Sequence, residues 1–373
     1  MTWLTFHRQS ESFAHQAHEK LRAGDVSAAK RLFSTAAELE RQALESLPSD
    51  KAKTRGITAV SAAALFYKAG DFESSCQLAY ALLGGNNLPG FARAQLEELV
   101  QAAFNEREKE KYDVAFLPGI VNVSVKGGDV LRGAAPLDLI VDRVKTIQAM
   151  FYRVIEWTTA RPHRKGPPTK DVSALFQPWL LQDVPGSFQF SVAIKANPQL
   201  EMFEKQNPGA TDVARQFLNI VQIISTDETG DETKALVPDD SYRTTFRKLV
   251  RNLTPTGNEF DSLEFRSAGI EDSPRINSIA RTKISKVIRA EQPKPAAGEL
   301  AVELSGNLRA VDLNEDWLKV HVPDKGEEKV TGVSQQVDDV IGPMVNRQVL
   351  VRAVRTKSGS LRFVDIELAD ERK

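Results

Sequence analysis

Residues 119–157, GIVNVSVKGGDVLRGAAPLDLIVDRVKTIQAMFYRVIEW, carry the reading on which the fold turns. Val121, Val123 and Val125 alternate with Asn122 and Ser124, the two-residue period of a strand with one buried face. Lys126-Gly127-Gly128-Asp129 follows as a tight turn, because glycine enters positive φ without a Cβ clash. VLRGAAP reads as a second extended piece. Pro136 suits the first turn of a helix, where its missing N–H costs nothing, and Asp138 complements the helix dipole. Leu137, Ile140, Val141, Val144, Ile147, Phe151, Ile155 and Trp157 recur at helical spacing, so the expectation is a core helix running to Trp157. The KGGD turn lacks the GxxxxGK[ST] spacing of a phosphate-cradling loop, and an extended piece follows it, so it reads as a hairpin turn.

Upstream the chain is helical and repeat-like. Leu21, Ala28, Ala29, Leu32, Phe33, Ala36, Ala37 and Leu44 mark a helical stripe around Ala23-Gly24-Asp25. Gly24 ends one helix as a left-handed C′ residue, and Asp25 is placed to cap the next. The arrangement returns 46 residues later at Ala69-Gly70-Asp71, again between a small-residue helix and a helix with Phe72, Leu78, Ala79 and Leu82. These AGD turns resemble tetratricopeptide-type hairpins, although their spacing departs from the usual period of about 34 residues. FARAQLEELVQAAF reads as a capping helix, and the charged NEREKEKYD (105–113) as a connector.

Downstream, WTTARPHRKGPPTKD is a basic, Pro-rich loop, and a turn at Pro185-Gly186 leads into a strand carrying Phe188, Phe190, Val192 and Ile194. NPGATDVARQFLNIVQII predicts a helix capped by Thr211 or Asp212, and STDETGDETKALVPDD an exposed acidic loop. SYRTTFRKLVRNL predicts a helix with Tyr242, Phe246 and Leu249 inside and Arg243, Arg247, Lys248 and Arg251 in water. LEFRSA reads as a strand returning to the sheet, and a basic helical stretch then runs into a Pro/Ala linker. From residue 298 the chain reads as five or six short strands near ten-residue spacing, with the helical turn SQQVDDVIGPMV before the strand RQVLVRAVRT. Its aromatic residues available to a ligand are Trp317 and Phe363.

The expected architecture is multidomain α + β. It comprises an all-α TPR-like domain (1–112), a central α/β domain with a helical insert (113–290), and a small OB-like or SH3-like β-barrel (298–373). Residues 119–195 and 300–370 resemble a group of uncharacterised bacterial proteins. The shared landmarks are Gly127, Gly128, Pro136, Leu137 and Asp138, then Pro185, Gly186 and Ser187, and a closing small β-domain. Proteins of this kind occur in conflict and defence modules, and the resemblance implies no assigned reaction.

Charge and motifs narrow the function. With 49 Lys+Arg against 50 Asp+Glu there is no global field for nucleic acid, so such binding would need a local patch. The single cysteine, Cys76, excludes an internal disulfide and a cysteine zinc cage, which suits a reducing cytoplasm. The N-terminal residues lack a signal-peptide pattern, and no run reaches the ~18 apolar residues of a spanning helix. There is no GxSxG, HExxH, Walker or Rossmann motif, and the five histidines are scattered. His15 and His18 share a helix face without a third ligand. No catalytic residue, cofactor or metal is therefore expected.

The expected function is that of a non-enzymatic interaction or scaffold protein whose helical arm binds a protein partner or self-associates. One alternative is a nucleic-acid-binding regulator. It would use Arg161, Arg164 and Lys165 in the loop 161–170, and Arg281, Lys283, Lys286 and Arg289 in the helix 281–289. Another is an enzyme with a site assembled around Asp129, Arg132, Asp138 and Arg153.

Overall fold

The computed structural model describes residues 2–85, 88–111, 119–131, 134–182, 188–194, 208–257, 259–267, 270–292, 295–323 and 325–369. The chain divides into two compact units, Met1–Ala115 with Gln182–Gly186, and Phe116–Leu181 with Ser187–Lys373. It is a mixed α/β protein, helical at its N-terminal end and β-rich at its C-terminal end.

In the first unit α1 (Trp3–Arg22), α2 (Val26–Glu45), α3 (Ala52–Ala69), α4 (Phe72–Leu83) and α5 (Gly90–Lys111) each pack on the next, and α3 also meets α5. Both AGD turns form by the same local chemistry. Gly24 and Gly70 adopt φ +80°, which lets each chain reverse without a Cβ penalty. Asp25 and Asp71 then accept the N–H groups of Ala28 and Ser74, each at 3.0 Å. Ala29, Ala36, Ala37, Ala62 and Ala63 are fully buried, so the helix backbones approach closely, and Phe33 and Phe66 fill the space between them. The charged stretch expected as a connector is instead helical through Lys111, because Glu, Lys and Arg are strong helix formers.

The second unit is built on a sheet of order β2–β3–β1–β4–β5. β1 (Val121–Lys126) pairs antiparallel with β3 (Gln189–Ile194) and β4 (Ser262–Ser267), and β4 pairs antiparallel with β5 (Arg275–Asn277). β2 (Pro178–Gln182) forms one edge. α6 (Leu137–Thr158) is followed by the short α7 (Lys170–Leu175). α8 (Ala210–Thr226) packs on β4 and β5 and also meets α6, α10 (Asp240–Leu253) and α11 (Ser278–Glu291). Val121, Val123 and Val125 share one core with Phe151, Phe217 and Phe265. The rings of Phe151 and Phe217 stack at 4.8 Å, and Phe217 meets Phe265 edge-on at 5.6 Å.

Beyond α11 come β6 (Leu300–Asp312), β7 (Trp317–Val322) and β8 (Gly326–Thr331), a single-turn α12 (Asp338–Ile341), then β9 (Gln348–Arg355) and β10 (Leu361–Leu368). Their pairings form a closed ring, β10–β8–β7–β6–β9, with β9 bonded back to β10. Leu304, Leu318, Val349 and Ile366 fill the ring and belong to the same hydrophobic core as the helices and the sheet.

Several expectations change. Among its described residues VLRGAAP contributes an isolated bridge between Leu131 and Ala134 in place of a strand, and the Pro185-Gly186-Ser187 turn lies outside the described residues. The N-cap of α8 is Gly209, without a side-chain cap; Asp212 sits in the first turn and pairs with Arg215 at 2.6 Å. The acidic segment after it contains the helix α9 (Asp231–Leu236). Asp227 there is buried, because its carboxylate accepts from the backbone N–H of Gly230 at 2.7 Å and of Thr233 at 2.8 Å. Phe363 is buried under the Lys248 ammonium, leaving Trp317 as the aromatic on the outer face of the ring, with Lys319 and Lys329 over it.

Candidate functional site

The largest departure from the sequence reading is α10. Arg243, Arg247, Lys248 and Arg251, expected in water, are at most 7% exposed. The helix is enclosed by α6, α8 and α11 and by α12. A cation tolerates such burial only with partners of opposite charge.

Arg243 pairs with Asp240 of its own helix and Arg247 with Glu291 of α11, whereas the partners of Lys248 and Arg251 come from the β-ring. Arg251 donates to both carboxylate oxygens of Asp365, at 2.7 and 3.0 Å, and to the Ile366 carbonyl at 2.7 Å. Arg352 of β9 donates to Asp365 at 3.3 Å, to Glu367 at 2.5 Å and to Glu303 at 3.0 Å. Lys248 lies 3.8 Å from Asp365 and donates to Gln336 at 2.7 Å. Burial pushes the Asp365 carboxyl up, but Arg251, with Lys248 and Arg352, outweighs it and holds the group below the usual carboxylate range. Glu367 follows the same pattern: burial raises it, and Arg251, Arg281 and Arg352 together bring it below its ordinary value. Burial lowers the Lys248 ammonium to about 8, despite the opposing pull of Asp365.

This network floors a cleft of about 510 Å³ between α11 and the β9–β10 edge. Four of the sequence-predicted cations lie on α11, and the structure separates them. Arg281 points inward, donating to the Leu368 carbonyl at 2.6 Å and to Glu367 at 3.4 Å. Lys283 turns away from the cleft and pairs with Glu228 at 2.7 Å. Lys286 and Arg289 line the cleft at its exposed rim. Ser278 and Thr282 continue that rim, and Ser285 donates to Glu367 at 3.1 Å from below.

The loop 161–170 is more tightly engaged than its composition suggests. Arg164 donates to Glu156 at 2.6 Å and lies 3.1 Å from Asp339 on α12. Arg161 pairs with Asp171 at 2.5 Å, and its carbonyl accepts from the Tyr242 hydroxyl at 3.0 Å. His163 bonds Thr245 at 2.9 Å, and burial together with the nearby Arg153 lowers its pKa. Lys165 is exposed, away from the α11 cleft. Of the residues considered for an enzyme, Arg153 donates to Asp339 at 2.7 Å, and Arg132 lies outside the described residues.

A second concave feature lies in the helical unit. A groove of about 570 Å³ is lined by Ser34, Glu38 and Arg41 of α2, Phe66 of α3, and Ser74, Gln77 and Leu78 of α4, with Asp71 at its end. The histidines of this unit serve local contacts. His7 bonds the buried Glu40 at 3.0 Å, His15 pairs with Glu19 at 3.5 Å, and His18 meets the Phe33 ring edge-on. Cys76 is buried, and burial raises its thiol pKa. Among the described residues no group of three or more His, Cys, Asp or Glu side chains has metal-binding geometry, and no helix is long and apolar enough to cross a membrane.

Comparison with family models, with curated proteins and with solved structures returns no match for this chain.

Proposed function

We propose that this is an interaction protein whose helical arm, a pair of tetratricopeptide-like hairpins with a capping helix, holds a segment of a protein partner. The carrying observation is the groove across α2, α3 and α4. Phe66 and Leu78 supply an apolar floor, while Ser34, Glu38, Ser74 and Gln77 supply polar groups along its sides. That combination suits an amphipathic segment seating one apolar side chain and hydrogen-bonding on either side of it. The Glu38 carboxylate is held charged chiefly by its hydrogen bond from Arg41, which lines the same groove, so the pair offers both a donor and an acceptor to the partner's backbone. In this reading the β-ring is an OB-like domain joined to the central sheet domain through the buried network.

The test uses the full chain. Ser34→Arg and Gln77→Arg together fill and charge the groove from exposed positions. A protein captured from the native host by the wild type and lost with this variant supports the arm as the binding surface. The same protein retained by the variant overturns it. Concentration-dependent self-association abolished by the variant would make the partner a second copy of the chain.

A further inference from the structure

We propose that the cleft between α11 and the β9–β10 edge binds the phosphodiester backbone of a nucleic acid. This goes beyond the arm and uses a different unit of the chain. Ser278, Thr282, Lys286 and Arg289 follow one another at intervals of four, four and three residues, which puts them in one stripe along the helix. All four are exposed, so the cleft is open along a path of about 16 Å at the helical rise per residue. A strand can pass along such a path, and its successive phosphates meet hydroxyls and cations in turn.

The charge balance selects an anion. Lys248, Arg251, Arg281, Arg289 and Arg352 pair with Glu303, Asp365 and Glu367, five cations against three carboxylates, and Lys286 stands on the same cleft, its charge felt by Glu228. Glu367 is the carboxylate that lines the cleft, and it is already engaged by Arg352, Arg281 and the Ser285 hydroxyl. The fold therefore uses Arg251, Arg281 and Arg352 but leaves two cations for a ligand. Lys286 has no ion pair among the described residues. Arg289 reaches Glu367 only at 3.7 Å and stays 53% exposed.

The lining also distinguishes among anions. No aromatic side chain lines the cleft among the described residues, so a base has no platform and a free nucleotide no base pocket. What remains is sequence-neutral contact to the backbone, which is salt-dependent because bound phosphates release counterions.

The experiment measures the anisotropy of a short labelled single strand, and of its duplex, with the full-length protein over a salt series. Lys286→Gln with Arg289→Gln is the test variant; Arg281 is left alone because it ties α11 to β10. The wild type should bind at low salt. The double variant should lower the log–log salt slope by about 1.4 on single strands or about 1.8 on duplex, for two lost phosphate contacts. Lys286→Glu with Arg289→Glu should abolish binding. An unchanged melting temperature confirms that each variant is folded. No binding by the wild type at low salt overturns the proposal, as does an unchanged slope in the Gln variant. Displacement of the strand by polyglutamate as effectively as by unlabelled strand at matched charge also overturns it, and assigns the cleft to acidic peptides. None of these results bears on the arm.

Discussion

Arg251 of α10 and Asp365 of β10 form a two-point ion pair with neither side chain exposed, their atoms 2.7 and 3.0 Å apart. The pair joins residues 114 positions apart in the chain and ties the helical layer to the β-ring. Bidentate geometry matches the planar guanidinium to the carboxylate, and Arg352 and Lys248 complete the surroundings of Asp365.

Breaking this pair from one side should be costly. Arg251→Met leaves Asp365 buried with Arg352 at 3.3 Å and Lys248 at 3.8 Å as its remaining cations. A loss of about 3–5 kcal/mol is expected, read from urea denaturation. Arg251→Met combined with Asp365→Leu should recover part of it, since the Asp365 charge goes with its partner and Arg352 keeps Glu303 and Glu367, while Lys248, stripped of its carboxylate, sets the part not recovered. A double variant as unstable as the sum of the two single variants would contradict this account.

Acid should dissolve the same network. Asp365 and Glu367 have folded pKa values below their unfolded ones, so their stabilisation is present above the unfolded values, about 3.9 and 4.3. It is lost as the pH falls through the lower folded values, where the folded carboxylates take up their protons. The melting temperature of the wild type should therefore fall more steeply below about pH 4 than that of Asp365→Asn. Parallel curves would remove the network from the acid response.

Lys248 works in the opposite direction. Its folded pKa of about 8 lies below the unfolded value, so between the two the unfolded chain binds more protons and stability from this residue rises with pH. Below pH 8 its buried charge costs up to about 3 kcal/mol, an upper bound from the shift. Lys248→Met should be no less stable than wild type at neutral pH and should flatten the rise between about pH 8 and 10. A variant that keeps the rise assigns it to another group.

The second AGD turn gives a local prediction. Asp71→Ala removes the acceptor for the Ser74 N–H and should cost about 1 kcal/mol. Gly70→Ala forces a Cβ into the left-handed region at φ +80° and toward the Lys30 ammonium at 3.2 Å, which should cost about 1–2 kcal/mol. Hydrogen exchange should show the first turn of α4 opening in both variants; protection unchanged from wild type would mean the cap contributes nothing.

The amino-acid sequence by itself determined the parts of this protein that depend on neighbours in the chain. The reversals at Gly24 and Gly70 need only a glycine and a capping Asp, and β1 and the strands from β6 to β10 show directly as short alternating or apolar runs. The basic character of α11, from Arg281, Lys283, Lys286 and Arg289, was equally readable.

Tertiary structure decided what each charge does. Helical periodicity separates apolar from polar residues, so it put Tyr242, Phe246 and Leu249 inside and sent Arg243, Arg247, Lys248 and Arg251 to water. It cannot show a carboxylate on a distant strand that makes the second face of α10 an interior one. On α11 the same limit left four cations equivalent. Folding places Glu367 and the Leu368 carbonyl against Arg281 and Glu228 against Lys283, and it leaves Lys286 and Arg289 at the open rim of the cleft. A buried cation is stable only when its partner arrives through space, and that pairing is a property of the fold rather than of any local pattern.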